Sequence, residues 1–198
     1  GTDNFLDVFN LKSRFFKDAQ VINDINAFQK NKFELDFILI ATPPAAHFSI
    51  AKQLIKQGYN LMIEKPLCLN YQDALKLKEL TEKNKVDICA VNNYRFRKNV
   101  LALKAALQTQ KSKPVSVFVK FWSGPVIVSK GGWRENFKEA LLYEMAYHFI
   151  DIALEIGGEI KLIEYLSKKY SAENALAETE AIIKTKNTKI ILDLKMRP

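Results

Sequence analysis

Three short stretches of this chain combine residue types that can do chemistry. The first is Ala41-Thr42-Pro43-Pro44-Ala45-Ala46-His47, which closes an apolar run from Leu35 to Ala41. Its prolines remove amide donors from the turn. The helical pattern that follows offers free N–H groups at its start to an anion. Any α/β crossover carries such a turn, so the stretch by itself also suits a plain connection. The second is Glu64-Lys65-Pro66, directly after the apolar run Leu61-Met62-Ile63. A lysine exchanges protons near neutrality only when burial or a neighbouring cation brings its pKa well below the ordinary lysine value. The alternative is a solvated lysine in a turn. The third is Glu144, His148 and Asp151, spaced by four and by three. That spacing projects all three from one face of a helix. A histidine between two carboxylates can act as a general base. The same set can be part of a metal site, although no second histidine lies on this helix. It can also be a structural polar stripe.

The elements that must position these residues are readable from hydrophobic period. Leu35–Ala41 is a short apolar run broken only by Asp36, as in a strand buried on both faces of a parallel sheet; Leu61–Ile63 reads as the next buried strand and Val86–Val91 as another. Helical patterns separate them. One runs from Ala45 through Ile55 and stops at Gly58. A second is capped by Asn70 and carries Ala74, Leu75, Leu77 and Leu80; a third carries Val100, Leu101, Leu103, Ala106 and Leu107. Ahead of them, Ala19–Ile22 suits a short strand and Asn23 a helix cap. This alternation is the rhythm of a doubly wound sheet. Both the Thr42 turn and Lys65 then fall at carboxyl ends of strands, where open α/β sheets place ligands.

After Pro114 the rhythm changes. A longer strand, Val115–Trp122, leads into a loop with Gly124, Pro125, Gly131 and Gly132. One long helix, about Phe137 to Ile156, stops at Gly157-Gly158, and three strand-like segments follow at Lys161–Tyr165, Glu178–Lys184 and Lys189–Leu194. The expected fold class is α/β: a partial Rossmann-like parallel sheet in residues 1–112, then an α+β domain in 113–198 with an open, mainly antiparallel sheet.

Composition narrows the function classes. The chain has 198 residues, 48% hydrophobic and 26% charged, which is ordinary globular usage. Its formal charge of +8 comes from scattered lysines, without a basic run or an aromatic-interleaved stripe, so nucleic acid is not an expected partner. No apolar run reaches the roughly 18–20 residues a membrane span needs. The opening Gly-Thr-Asp-Asn shows no signal-peptide pattern. Cys68 and Cys89 are too few for a four-thiolate zinc site and suit a reducing compartment. A cytoplasmic protein without a metal site is the expectation.

In order, Ala-Thr-Pro-Pro-x-x-His47, then Glu64-Lys65-Pro66, Asn92-Asn93-Tyr94-Arg95-Phe96, Trp133-Arg134 and Glu144-x-x-x-His148-x-x-Asp151 resemble the Gfo/Idh/MocA oxidoreductase family, from about Leu35 to Gly158. The resemblance implies an N-terminal Rossmann domain binding NAD or NADP, and a second domain used for substrate and homo-oligomer contacts, as a dimer or tetramer. It implies hydride transfer between nicotinamide and a sugar, cyclitol or nucleotide-sugar hydroxyl. Lys65 and His148 would handle the proton, with Glu144 orienting the substrate. Thr42, Pro43, His47, Glu64, Lys65, Asn93 and Arg95 fall at its cofactor positions. Trp133, Arg134, Glu144 and Asp151 fall at its substrate positions. A cis Lys65–Pro66 bond would aim Lys65 into the cleft.

Two departures stand out. The family's three glycines are Lys138, Glu139 and Ala140 here, and its Asp-x-Gly-x-His reads Glu144-Met145-Ala146-Tyr147-His148. Those changes reshape the pocket. No G-x-G-x-x-G turn for the pyrophosphate occurs in the chain, and Asp7 stands near where an acidic ribose-binding residue belongs. The expectation is an interior portion of a longer enzyme. The alternative is a non-catalytic ligand-binding or oligomer-forming relative that binds no dinucleotide.

Overall fold

In a computed structural model of the chain, residues 35–109, 116–123, 145–170, 176–186 and 188–196 are described. Asp7, the expected Ala19 strand and Asn23 cap, the 124–132 loop, Trp133, Arg134 and the start of the long helix, with Glu144, lie outside the described residues.

Three short strands, β1 (Ile38–Ile40), β2 (Leu61–Ile63) and β3 (Ile88–Ala90), form a parallel sheet in sequence order. Ile38 pairs with Leu61 and Leu61 with Ile88, so the strands end level. The ladder runs one residue further at each carboxyl end: Glu64 N–H donates to Ile40 O at 2.9 Å, and Val91 N–H to Ile63 O at 2.8 Å. Helix α1 (Pro44–Ile55) makes the first crossover and buries Ala51, Leu54 and Ile55. Ile40, Leu61 and Ile63 are buried with it, but Phe37 and Leu39 are more than half exposed. Among the described helices, α1 is the one in substantial contact with β1 and β2.

Local signals set the helix ends. Proline at the first position of α1 fits a site where no amide partner is needed. Gly58, after α1, has φ +86. Helix α2 (Tyr71–Asn84) starts on Asn70, whose Oδ1 accepts from Asp73 N–H at 2.8 Å. It ends on Lys85 at φ 54, a left-handed residue that is not glycine and so was not legible as a stop. Beyond β3 come a 3₁₀ helix at Asn93–Phe96 and helix α3 (Lys98–Thr109).

The second sheet is mixed, in the order β4-β7-β6-β5. Here β4 is Ser116–Ser123, β5 Ile160–Tyr170, β6 Leu176–Thr185 and β7 Lys189–Met196. β4 and β7 run parallel, while β5, β6 and β7 are mutually antiparallel. Helix α4 (Tyr147–Gly157), entered through a π turn at Met145–Ala146, packs on one face of this sheet. Phe149, Ile152 and Ala153 of α4 meet Ala181, Ile183, Ile190, Leu192 and Leu194 of β6 and β7 in one buried cluster. Alternate residues of β6 and β7 are buried, the period a half-buried strand requires. No described helix is long and apolar enough to cross a membrane.

The end of α4 approaches the β6–β7 turn closely. A Cβ on Gly157 would lie 2.7 Å from Thr185 Cγ2 and 2.9 Å from its Cβ. Thr185 cannot swing aside, because its hydroxyl donates to Thr188 O at 2.9 Å and accepts from Thr188 N–H at 3.0 Å. Gly157→Ala is expected to destabilise the chain by about 1–3 kcal/mol through overpacking, read as a lower urea midpoint at unchanged slope.

Candidate active site

The carboxyl ends of β1, β2 and β3 deliver Thr42, then Glu64 and Lys65, then Asn92 through Arg95, to one edge of the parallel sheet. Ala41, Thr42 and Pro43 are exposed, while Glu64 and Lys65 are half-buried. Glu64 folds back so that Lys65 N–H donates to its Oε2 at 3.2 Å. The Lys65–Pro66 peptide is cis.

His47, on α1, ties two of these ends together from inside. It is fully buried, with Nε2 2.7 Å from Thr42 O and Nδ1 2.9 Å from Pro66 O. Both partners are acceptors. A neutral imidazole can donate to only one of them, whereas a charged one can donate to both. Either way both ring nitrogens face protein carbonyls, so His47 braces the Thr42 and Pro66 turns from within.

Asp151 is the second junction. Arg95 Nε donates to Asp151 Oδ2 at 2.9 Å, and Arg95 Nη2 makes a shorter bond to Oδ1. Asn92 Nδ2 adds a third bond to Oδ1 at 2.9 Å. Asp151 is 6% exposed, so the bidentate pair is shielded from water on its carboxylate side, while the Arg95 side chain is about a third exposed. Arg95 also lies 3.6 Å from Glu155, which is bonded to Lys104 of α3. The Asp151 hydrogen bond strengthens the hold of Arg95 on its proton, and the Lys104 hydrogen bond lowers the pKa of Glu155. Asp151, expected among the substrate residues, thus has both oxygens engaged within the protein. Asn93, expected beside the cofactor, is exposed, and its neighbour Asn92 makes the internal bond.

His148 is three residues before Asp151 on the same face of α4 and is 4% exposed. Its ring stacks on Tyr94 with centroids 3.9 Å apart and planes 7° from parallel. Tyr147, next to it, hydrogen-bonds the Leu67 backbone; burial first, and the Asp151 charge second, raise its pKa. A cavity of about 280 Å³ lies between Tyr147 and the loop Leu67–Asn70. Cys68 lines it, and burial with the Asp73 charge pushes its thiol up to about 11. No group of three metal-ligating side chains occurs among the described residues.

Of the expected residues, the structure describes Thr42, Pro43, His47, Glu64, Lys65, Asn93, Arg95, His148 and Asp151. Asn92, Tyr94 and Glu155 were not singled out individually. The signal for Asn92 and Tyr94 lay in the run Asn92-Asn93-Tyr94-Arg95-Phe96 directly after a strand. Glu155 continues the Glu144, His148, Asp151 spacing by four.

Residues 6–93 match the model of an oxidoreductase family with the NAD-binding Rossmann fold. Over those residues, somewhat under half of its length, the chain is similar to that family, Gfo/Idh/MocA. It is 22% identical to the Bacillus subtilis scyllo-inositol 2-dehydrogenase (NADP(+)) IolW over 76% of its own length and 42% of the relative's. A solved oxidoreductase of Agrobacterium radiobacter, in complex with NAD+, L-tartaric acid and magnesium, superposes with a TM-score of 0.84 at 20% identity, over 98% of this chain and 57% of that one. The Thermus thermophilus WlbA dehydrogenase, in complex with NAD and UDP-GlcNAcA, superposes with a TM-score of 0.76 at 21% identity, over 96% and 62%. The chain thus spans less than two thirds of each of these proteins. The two superpositions carry the fold.

His47→Leu keeps the bulk of the ring but leaves the buried Pro66 carbonyl and the more exposed Thr42 carbonyl without the imidazole. A loss of about 2–3 kcal/mol in unfolding free energy is expected, measured by urea denaturation. A loss below about 0.5 kcal/mol would show that the staple does not hold the two turns.

Proposed function

We propose that this chain is the core of an NAD(P)-dependent oxidoreductase that oxidises or reduces a hydroxyl-bearing carbon of a sugar, cyclitol or nucleotide-sugar. The observation that carries this reading is the Arg95–Asp151 pair, which joins the helix bearing His148 to the strand ends bearing Lys65. The family match over residues 6–93 supports the nicotinamide, and the inositol dehydrogenase activity of one relative and the UDP-GlcNAcA bound by another support the substrate class.

The residues present fit the nicotinamide end of the cofactor. Thr42 and Pro43 offer an exposed turn at the uncapped start of α1, and Glu64 and Lys65 offer polar groups at the next strand end. When bound, nicotinamide supplies the hydride chemistry, which protein side chains lack. What remains for the chain is the proton of the substrate hydroxyl. Lys65 orients and shares that proton, and His148 takes it as general base. Glu144, four residues before His148 in the sequence, is assigned to orient the hydroxyl, and Trp133 and Arg134 to border the substrate. Asn93 and Arg95 close the cofactor side, Arg95 indirectly through Asp151. Residues 1–112 serve the cofactor and 113–198 serve substrate and oligomer contacts, a division supported by the two separate sheets. The two free thiols suit a cytoplasmic location.

The test is Lys65→Met in the full polypeptide, assayed by nicotinamide absorbance with scyllo-inositol and UDP-GlcNAcA as first probes. Turnover should fall about 100-fold or more, while cofactor binding stays within a few-fold. Unchanged turnover would remove Lys65 from the mechanism.

A further inference from the structure

The 3₁₀ helix after β3 grips α4 at two points. Neighbouring residues Tyr94 and Arg95 reach His148 and Asp151, which stand one helical turn apart on the same face. The Arg95 grip is electrostatic. The Tyr94 grip is a stack, and it has a second layer: Arg97 Cζ lies 3.4 Å from the Tyr94 ring centroid. Two flat groups at 3.4 and 3.9 Å from one centroid cannot share a face of the ring, so Tyr94 is sandwiched between guanidinium and imidazole. The edge of the sandwich is closed by Phe149, whose ring meets Tyr94 at 6.2 Å and 79°, and which itself packs on Phe121 of β4 at 5.3 Å. The backbone fixes the spacing, since Arg97 N–H donates to Tyr94 O at 3.1 Å.

Resting on the reading that His148 handles the proton, we infer that Tyr94, backed by Arg97, is a positioning residue that sets the plane of the His148 ring. The torsion that turns an imidazole about its Cβ–Cγ bond is broad and roughly two-fold, so a helix alone does not fix where the ring nitrogens point. A parallel neighbour at 3.9 Å fixes the plane in which they lie, leaving only the two orientations related by a half-turn of the ring. Rotating the ring out of its plane drives an edge into Tyr94 and forfeits the offset-stacking contact. The guanidinium on the far face holds Tyr94 from behind by its attraction to the ring quadrupole. Burial keeps the arrangement dry: His148 is 4% exposed. The imidazole is thereby confined to one plane before any substrate arrives, which is the preorganisation a proton acceptor needs.

The experiment compares Tyr94→Leu, Tyr94→Phe and Arg97→Ala in the full polypeptide. Its primary readout is the His148 ring Cε1–H and Cδ2–H resonances in histidine-labelled protein, which the Tyr94 ring current moves upfield. Tyr94→Leu should return them toward ordinary histidine values, and Tyr94→Phe should leave them in place. Turnover with scyllo-inositol or UDP-GlcNAcA should fall about ten- to a hundredfold in Tyr94→Leu through kcat, with KM little changed, and recover in Tyr94→Phe. Arg97→Ala should give an intermediate shift; it decides the question should Tyr94→Leu fail to fold. Unmoved His148 resonances, or a loss of stability with kcat unchanged, would overturn the inference. His148→Ala separates the two claims. Full activity in that variant would remove the general-base reading and leave the resonance shifts as evidence of the stack alone.

Discussion

The buried carboxylate of Asp151 is the point on which the rest of the arrangement depends. It belongs to α4, whose apolar face is committed to the mixed sheet through Phe149, Ile152 and Ala153. Its three donors come from the far end of the parallel sheet, Asn92 and Arg95. A desolvated charge is costly unless it is paired and fully hydrogen-bonded, so the two sheets cannot slide past each other at this junction without exposing an uncompensated ion. What fixes the distance from the strand ends to the helix face is this ion pair with its amide support, together with the Tyr94–His148 stack beside it. The outer pairs, Arg95 with Glu155 and Glu155 with Lys104, are more exposed and contribute less.

From that junction the remaining geometry follows. Parallel strands ending level present their turns side by side, and the backbone bonds from Glu64 and Val91 carry the alignment past the strands themselves. His47 then fixes the first two turns relative to each other, spending both nitrogens to do so. The exposed Thr42–Pro43 turn and half-buried Lys65 thus share one braced base. A site built this way keeps its moving parts small. The proposed proton-handling groups sit on a strand end and a helix, and the turns at Thr42, Pro66 and Asn92 are braced by polar contacts.

Much of this was legible in residue order. The alternation of short apolar runs with helical periods specified the parallel sheet, and Asn70 and Gly58 marked helix boundaries for the physical reasons that operate in the structure. Lys85 shows the limit: a left-handed cap without glycine or asparagine carries no sequence mark. The period also overstated burial of β1, because a continuous apolar run reports a strand but not which faces are covered. In the site, the helix spacing of His148 and Asp151 was readable, but their division of labour was not. One turns out to be an anchor whose oxygens point into the protein, the other a ring stacked on a tyrosine, and both partners lie more than fifty residues away in sequence. His47 is similar, since nothing in its neighbourhood announces that Pro66 will present a carbonyl to it. Spacing along one element is a local property, whereas the partner of a buried polar group is a property of the whole fold.

The central claim is that the Arg95–Asp151 pair couples the helix to the sheet. A double-mutant cycle of Arg95→Met, Asp151→Leu and the combined variant tests it, with unfolding free energies read from urea denaturation. The account predicts that the double variant loses less than the sum of the single losses, with a coupling energy of about 2 kcal/mol or more. Single losses that add to within about 0.5 kcal/mol would contradict it. The helix would then be held to the strand ends by apolar packing alone.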